Sequence, residues 1–316
     1  MIYQGPVKLI KERKNIAILS HVMPDGDNIG SCLALYNALI KLGKNVVIIQ
    51  DDDVPEIYKF LKSADKVVKP GGDYSIDLVI ALDCGDISRL GKSAKYLENK
   101  DIINIDHHIS NTKFGHHNII DTNASATAEL VYELINKLEI ILDKDICECI
   151  YTGIVTDTGQ FQYSNTTSVT HQIAANLINN GVEPAKVYKA LYQNNSISKM
   201  KLIGKALSLM EFHYDNKIAS IMLSKEDFES LGAKDEDTDG LINYARDIKG
   251  VEVALLFKET YERKIKIGFR SKDYIDVSKI AQKYGGGGHI RAAGATVDGE
   301  LNDIKEKIVE DVINVF

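Results

Sequence analysis

The stretch Asp101-Ile102-Ile103-Asn104-Ile105-Asp106-His107-His108 decides how the first half of the chain is read. Its apolar start suits a buried parallel strand. An Asp followed by two His is a poor strand interior, because buried ionisable groups are costly unless paired or bound to a metal. The three polar residues therefore belong at a strand exit, and open α/β sheets take their ligands at the carboxyl ends of strands.

Two other apolar runs end the same way. Asn15–Ser20 (NIAILS) runs into His21-Val22-Met23-Pro24-Asp25-Gly26-Asp27, and 76–82 (IDLVIAL) into Asp83-Cys84-Gly85-Asp86. Between them Ile29, Cys32, Leu33, Tyr36, Leu39 and Ile40 recur at helical spacing, with Gly43 as a stop. A strand is expected at 45–49, a short helix at 56–64 and a polar helix at 88–97. Alternating strands and helices give a parallel sheet with right-handed crossovers. Three of its strands then deliver acids and histidines to one edge.

From Ser125 the pattern turns helical. Ala128, Val131, Leu134, Ile135 and Leu138 form one apolar stripe; 146–155 forms another and ends in Thr156-Asp157-Thr158-Gly159. Helices are expected at 170–180 and 184–192. The polar stretch 193–201 (QNNSISKMK) marks a linker, so the chain is read as a catalytic domain at 1–192, a linker at 193–210 and a smaller α+β domain at 211–316. In the last, 217–223, 251–257 and 264–269 read as strands, 238–247 and 277–283 as helices. The segment 285–294 (GGGGHIRAAG) follows, then a strand and a helix from Asn302.

Composition narrows the class. With 316 residues, two domains are expected. No apolar run approaches the roughly 20 residues needed to span a bilayer, and the N-terminal charges precede no apolar core. A cytoplasmic protein without a membrane role is expected. Cys147 and Cys149 are too close for an ordinary bridge, and Cys32 and Cys84 sit in apolar segments, so buried reduced thiols are expected. The net charge of −7 argues against tracking long or duplex nucleic acid, which needs an extended basic surface. A short anionic substrate, held by metals and a few local cations, remains compatible.

The metal candidates are His21, Asp25, Asp27, Asp83, Asp106, His107, His108 and Asp157. Taken singly, Asp25-Gly-Asp27 is an ordinary solvated loop and Asp83-Cys-Gly-Asp86 a strand exit with a helix cap. Sharing one sheet edge changes their meaning. Asp25 and Asp27 can each reach a divalent ion with Asp83 between, and two ions about 3.5–4 Å apart form a phosphoester-hydrolysing centre. Imidazole and carboxylate without thiolate suit Mn²⁺ and tolerate Zn²⁺, Fe²⁺ or Co²⁺. His116 and His117, beyond the strand end, read as a surface pair in a loop. Farther on, from Lys258 to Arg291, nine Lys and Arg (Arg263 among them) face four acids. Consecutive glycines let backbone N–H groups approach an anion, His289 can stack on a base, and Arg270 can fork onto a phosphate.

These elements carry a resemblance. His21-x-x-Pro24-Asp25-Gly26-Asp27-x-x-Gly30-Ser31, Asp83-Cys84-Gly85-Asp86, Asp106-His107-His108 and Thr156-Asp157-Thr158-Gly159 resemble, in order, the four motifs of the DHH phosphoesterases. The segment 285–294 resembles the signature of the DHH-associated C-terminal domain. The similarity spans nearly the whole chain without departure at the metal positions. With Phe269-Arg270-Ser271 and the chain length, it is most similar to the stand-alone bifunctional oligoribonucleases and pAp phosphatases, the nanoRNases. The resemblance implies that His21 and Asp25 hold one metal, that Asp27, His107 and Asp157 hold another, and that Asp83 bridges them. It implies that His108 faces the scissile phosphate and that Asp106 orients a histidine. Substrate would be held by Arg270, Ser271, Gly286, Gly287, Gly288, His289 and Arg291. The activity implied is in-line hydroxide attack at two divalent ions, Mn²⁺ first among them. Very short oligoribonucleotides would yield 5′-mononucleotides, and 3′-phosphoadenosine 5′-phosphate (pAp) would yield AMP. A phosphodiesterase of linear or cyclic dinucleotides would use the same residues. A non-catalytic nucleotide sensor fits less well with a complete ligand set, and a homodimer is left open.

Overall fold

The structure, a computed structural model, describes residues 2–260 and 264–316. Glu262 and Arg263, counted above in the basic segment, lie outside them. The chain divides into two compact units, Met1–Asn194 and Asn195–Phe316.

The first unit opens with helix α1 (Gln4–Glu12), which the sequence reading did not foresee and which buries Pro6 and Ile10. Strands β1 (Asn15–Ser20), β2 (Asn45–Ile49), β3 (Val67–Val68), β4 (Leu78–Leu82), β5 (Asp101–Asp106) and β6 (His117–Ile120) form one sheet of order β3-β2-β1-β4-β5-β6. Every neighbouring pair is parallel. All of β4, and β1 and β5 beyond their first residues, are buried, as strands covered on both faces must be. The strand order reverses between β1 and β4, and at such a switch point a crevice opens at the carboxyl ends. Register sets its floor: Ser20 pairs with Leu82, and Leu82 with Ile105. The residues that follow therefore emerge at one level.

Helices α2 (Gly26–Lys41), α3 (Thr127–Lys137), α4 (Lys144–Asp157), α5 (Ser168–Asn179) and α6 (Pro184–Tyr192) complete the unit. α2 and α4 touch backbone to backbone: a Cβ on Gly30 would lie 2.5 Å from the Cys149 carbonyl oxygen. Two expected helices are 3₁₀ turns instead, Glu56–Tyr58 with Ala64–Lys66, and Ile87–Leu97. The second is broken at Gly91 (φ 58°), where the Asp51 carboxylate accepts from the N–H groups of Lys92 and Ser93. His117 is not in a loop; it begins edge strand β6, while exposed His116 accepts from the Ile102 N–H.

In the second unit, α7 (Ile197–Ser208) occupies much of the stretch read as a linker. Its polar residues face water, and Leu202 and Ala206 are fully buried in the core. Strands β7 (Glu211–His213), β8 (Ile218–Leu223), β9 (Val253–Glu259), β10 (Lys264–Ser271), β11 (Gly287–His289) and β12 (Ala292–Asp298) form a second sheet of order β11-β12-β10-β9-β8-β7. Only β8 and β9 pair in parallel. α8 (Lys225–Leu231) and α9 (Leu241–Arg246) pack with α7 in one core, and α10 (Val277–Lys283) and α11 (Leu301–Ile313) in another. The α/β and α+β expectations both hold. All four cysteines are free and buried, and among the described residues no helix is long and apolar enough to cross a membrane.

Candidate active site

The carboxyl ends of β1, β4 and β5 bring together His21, Asp83, Asp106, His107 and His108, and the ends of α2 and α4 add Asp25, Asp27 and Asp157. Three groups of side chains have donor atoms within 4.8 Å of one another: His21, Asp25 and Asp83; Asp27, His107 and Asp157; and Asp83, His107 and His108. Asp83 is common to two of them. It leaves β4 in the left-handed conformation (φ 53°), which a short Asp side chain tolerates better than most. Its carboxylate lies 3.3 Å from His21 Nε2 and 3.9 Å from His107 Nε2.

Local structure aims each donor. Asp25 caps α2 by accepting from the Asn28 N–H at 3.0 Å. Asp27, 1% exposed, accepts from the N–H groups of Thr127 at 2.6 Å and Ala128 at 2.9 Å, so the start of α3 holds it. The Thr127 hydroxyl donates to Asp83 at 2.9 Å. The Nδ1 atoms of His21 and His107 face the carbonyls of Val22 (2.8 Å) and Ala124 (3.2 Å). A carbonyl only accepts, so His107 Nδ1 donates to Ala124 and turns its Nε2 toward Asp27, Asp83 and Asp157, and His21 Nε2 turns likewise toward Asp83. Asp106, fully buried, accepts from His108 Nδ1 at 2.6 Å and from Asn111 at 2.6 Å. The histidine that it orients is thus His108.

The electrostatics are those of a centre short of positive charge. Burial raises the Asp27 carboxyl well above the usual range, and the charges of Asp83, Asp157 and Asp25 add to it. Burial, with Asp83 and Asp25, pushes Asp157 to about 7 against the pull of His107. Burial also acts on Asp83, but the His21 hydrogen bond and the charges of His108, His21 and His107 outweigh it and hold that carboxyl at about 2. The Asp106 hydrogen bond raises His108 to about 9. No lysine or arginine pairs with Asp25, Asp27, Asp83 or Asp157 among the described residues. The amide of Asn28, fully buried beside Asp27, has no partner for its oxygen or nitrogen, and a buried polar group in that state needs an unseen ligand or water. Crowded carboxylates, imidazoles turned toward them and an orphaned amide fit divalent cations. Thiolate takes no part, since Cys84 Sγ turns to the Asp86 carbonyl.

Two residues were missed by the sequence reading. Thr127 ties Asp27 to Asp83, and exposed Arg89 places Nη2 3.2 Å from His21 Nδ1. Arg89 has no carboxylate partner among the described residues, so a cation stands open at the rim.

The expected substrate residues divide. Arg270, half-buried, lies on β10 opposite Ala292 of β12, and exposed His289 of β11 lies opposite the same Ala292. Ser271 is buried instead, its hydroxyl donating to the Ile275 carbonyl at 2.6 Å. The Arg291 guanidinium donates to the carbonyls of Ile275 (2.7 Å) and Asp273. The glycine run is not a free loop. A Cβ on Gly286 would lie 2.1 Å from the Gly294 oxygen and one on Gly288 2.4 Å from the Ala292 oxygen, whereas Gly287 faces open space.

Comparison with known proteins follows this division. The N-terminal domain model of the DHH family matches residues 15–154, and the DHHA1 domain matches 215–315. The chain is 36% identical over 94% of its length to the bifunctional oligoribonuclease and PAP phosphatase NrnA of Thermus thermophilus, covering 89% of that protein. The chain belongs to the DHH family. Within it, the NrnA protein of Bacillus subtilis is 30% identical, each chain covered over 92%. The crystal structure of an exopolyphosphatase-related protein from Bacteroides fragilis superposes with a TM-score of 0.93 at 29% identity, over 99% of this chain and 95% of that one.

Proposed function

We propose that this chain is a metal-dependent phosphoesterase that releases 5′-mononucleotides from very short oligoribonucleotides and removes the 3′-phosphate of pAp. The observation that carries the reading is Asp83, which shares one donor group with His21 and Asp25 and another with His107 and His108, His107 in turn joining Asp27 and Asp157. Relatives named for both activities, matched over 89% and 92% of their own lengths, support it. In this reading His21 and Asp25 hold one divalent ion, Asp27, His107 and Asp157 the other, and Asp83 both. Manganese suits the nitrogen and oxygen donors. Bound there, the ions would acidify a water and neutralise charge on the phosphate.

The chain does the rest. Thr127 and the start of α3 hold Asp27 and Asp83 in place, and the Val22 and Ala124 carbonyls keep the Nε2 atoms of His21 and His107 directed inward. Asp106 holds His108 as an N–H donor toward the phosphoryl oxygens, where negative charge grows in the transition state. Arg89 grips a non-bridging oxygen from the His21 side. In the C-terminal domain (211–316), Arg270, His289 and the open Gly287 backbone take the nucleotide. Ser271, Gly286, Gly288 and Arg291 shape the strand and loop that present them. Four free, buried cysteines suit a cytoplasmic setting.

A panel with Mn²⁺ tests the reading: pAp, two- to five-nucleotide RNA and DNA, and linear and cyclic di-adenylate. Turnover of pAp and of the shortest RNAs ahead of the rest is expected. Preference for linear or cyclic di-adenylate over both would replace this reading with a dinucleotide phosphodiesterase, and no turnover of any would replace it with a sensor.

A further inference from the structure

We propose that Asp51 and Asp52 are positioning residues for the active site. From the end of β2, Asp51 sets the segment that carries Arg89, and Asp52 sets the loop that carries His21 and Asp25. The inference deepens the phosphoesterase reading and rests on it for the roles of Arg89, His21 and Asp25. β2 itself sends no candidate donor to the centre, but it lies beside β1 with Ile49 level with Leu19. Gln50, Asp51 and Asp52 therefore emerge next to the loop that leaves β1. Gln50, fully buried, accepts from the Ser20 hydroxyl at 3.2 Å and ties the two strand ends together.

Asp51 acts on one side of that loop. Its carboxylate accepts from the Lys92 N–H at 2.7 Å, the Ser93 N–H at 3.0 Å and the Ser93 hydroxyl at 2.7 Å. Hydrogen bonds to an ionised group are stronger than neutral ones, and three on one carboxylate fix the backbone that supplies them. They close the turn at Gly91, where a Cβ would lie 2.5 Å from the Asp51 carboxylate and 2.8 Å from a Val22 methyl. The turn is thus wedged between Asp51 and the neighbour of His21. Two residues before it, the Arg89 carbonyl accepts from the Val22 N–H at 2.8 Å, and the guanidinium lies 3.2 Å from His21 Nδ1. A hold on the Gly91 turn is therefore a hold on Arg89.

Asp52 acts on the loop itself, accepting from the Met23 N–H at 2.6 Å. Met23 has a left-handed backbone (φ 56°) and is 71% exposed, so its own side chain does little to keep it there. A non-glycine residue persists in that conformation where its surroundings impose it. Met23 stands two residues from His21 and two from Asp25, and its backbone sets how those two donors meet. Asp53, next in the chain, turns outward to Lys69 at 3.0 Å and provides a control.

The test uses the full chain with pAp and Mn²⁺, reading KM, calorimetric affinity for pAp, and Mn²⁺ affinity from the electron paramagnetic resonance of the free ion. Asp51→Ala should weaken pAp by about fivefold in KM and affinity, as for a segment that is in place about a fifth of the time. Its kcat and Mn²⁺ affinity should not change. In an Arg89→Ala background the same substitution should add nothing, since residues acting through one contact are not additive. Gly91→Ala, which drives a methyl against the Asp51 carboxylate, should reproduce the loss. Asp52→Ala should weaken Mn²⁺ binding by about tenfold, the low end for partners that orient metal ligands, and Asp53→Ala should change neither quantity. Unaltered pAp binding in Asp51→Ala, an equal loss with and without Arg89, or unaltered Mn²⁺ affinity in Asp52→Ala would overturn the proposal. A wild type that binds pAp without turning it over would refute the catalytic reading instead, and the two affinities would still decide this one.

Discussion

Asp106 holds three neighbouring groups at once. It is fully buried and accepts from the His107 N–H as well as from His108 and Asn111. Asp106→Asn keeps the shape but weakens the hold on the His108 proton. Loss of a positioned donor costs typically about 10²–10⁴ in rate, so kcat should fall by that order with Mn²⁺ content unchanged by elemental analysis. A parallel loss of metal would mean that Asp106 supports a ligand instead. Arg89→Ala should act on KM, by about tenfold for a lost contact of about 1.4 kcal/mol, with metal content intact; a fall in kcat alone would deny it a binding role. The cluster of Asp and His at the strand ends was legible in the sequence because such residues at the ends of apolar runs have no cheap structural use. Arg89 and Thr127 were not. A single Arg in a polar segment and a Thr at a helix start carry no pattern, and only the packing of Ile87–Leu97 and α3 against the strand ends gives them meaning.

At the scale of elements, legibility followed burial. β1, β4 and β5 announce themselves as continuous apolar runs, and α3, α6 and α10 by their spacing. Short edge elements do not: β3 has two residues and β11 is largely glycine. In the sequence the glycine run reads as an anion cradle, because four glycines have no propensity of their own. Its use is mostly steric, since the chain entering and forming β11 approaches β12 too closely for a Cβ at Gly286 or Gly288. That assigns different costs to neighbours. Gly286→Ala should lower stability by about 1–3 kcal/mol, the usual cost of overpacking, whereas Gly287→Ala should leave the urea midpoint in place and weaken nucleotide binding. Equal destabilisation by the two would contradict the strand pairing. The linker reading failed for a related reason. A helix such as α7, exposed on most of its surface, buries only a narrow apolar stripe, and its composition looks like a loop.

For the whole molecule, the acidic balance and the metal centre belong together. The first unit gathers carboxylates at its switch point, and among the described residues no lysine or arginine pairs with Asp25, Asp27, Asp83 or Asp157. Metal bound only to the native state, at about 100 times its dissociation constant, contributes about 2.7 kcal/mol. The thermal midpoint should therefore rise on titration with Mn²⁺ and fall with chelator, and Asp83→Asn should blunt the response. A midpoint indifferent to metal would mean that the cluster is not a cation site. The central claim, one centre serving both reactions, is tested most directly by hydrolysis of pAp and of a diribonucleotide in the wild type and in Asp83→Asn, each with Mn²⁺. Asn retains access to the left-handed backbone at this position, so the change isolates the carboxylate. Both activities should fall together, by at least about 10²–10³; retention of either one would contradict a shared centre.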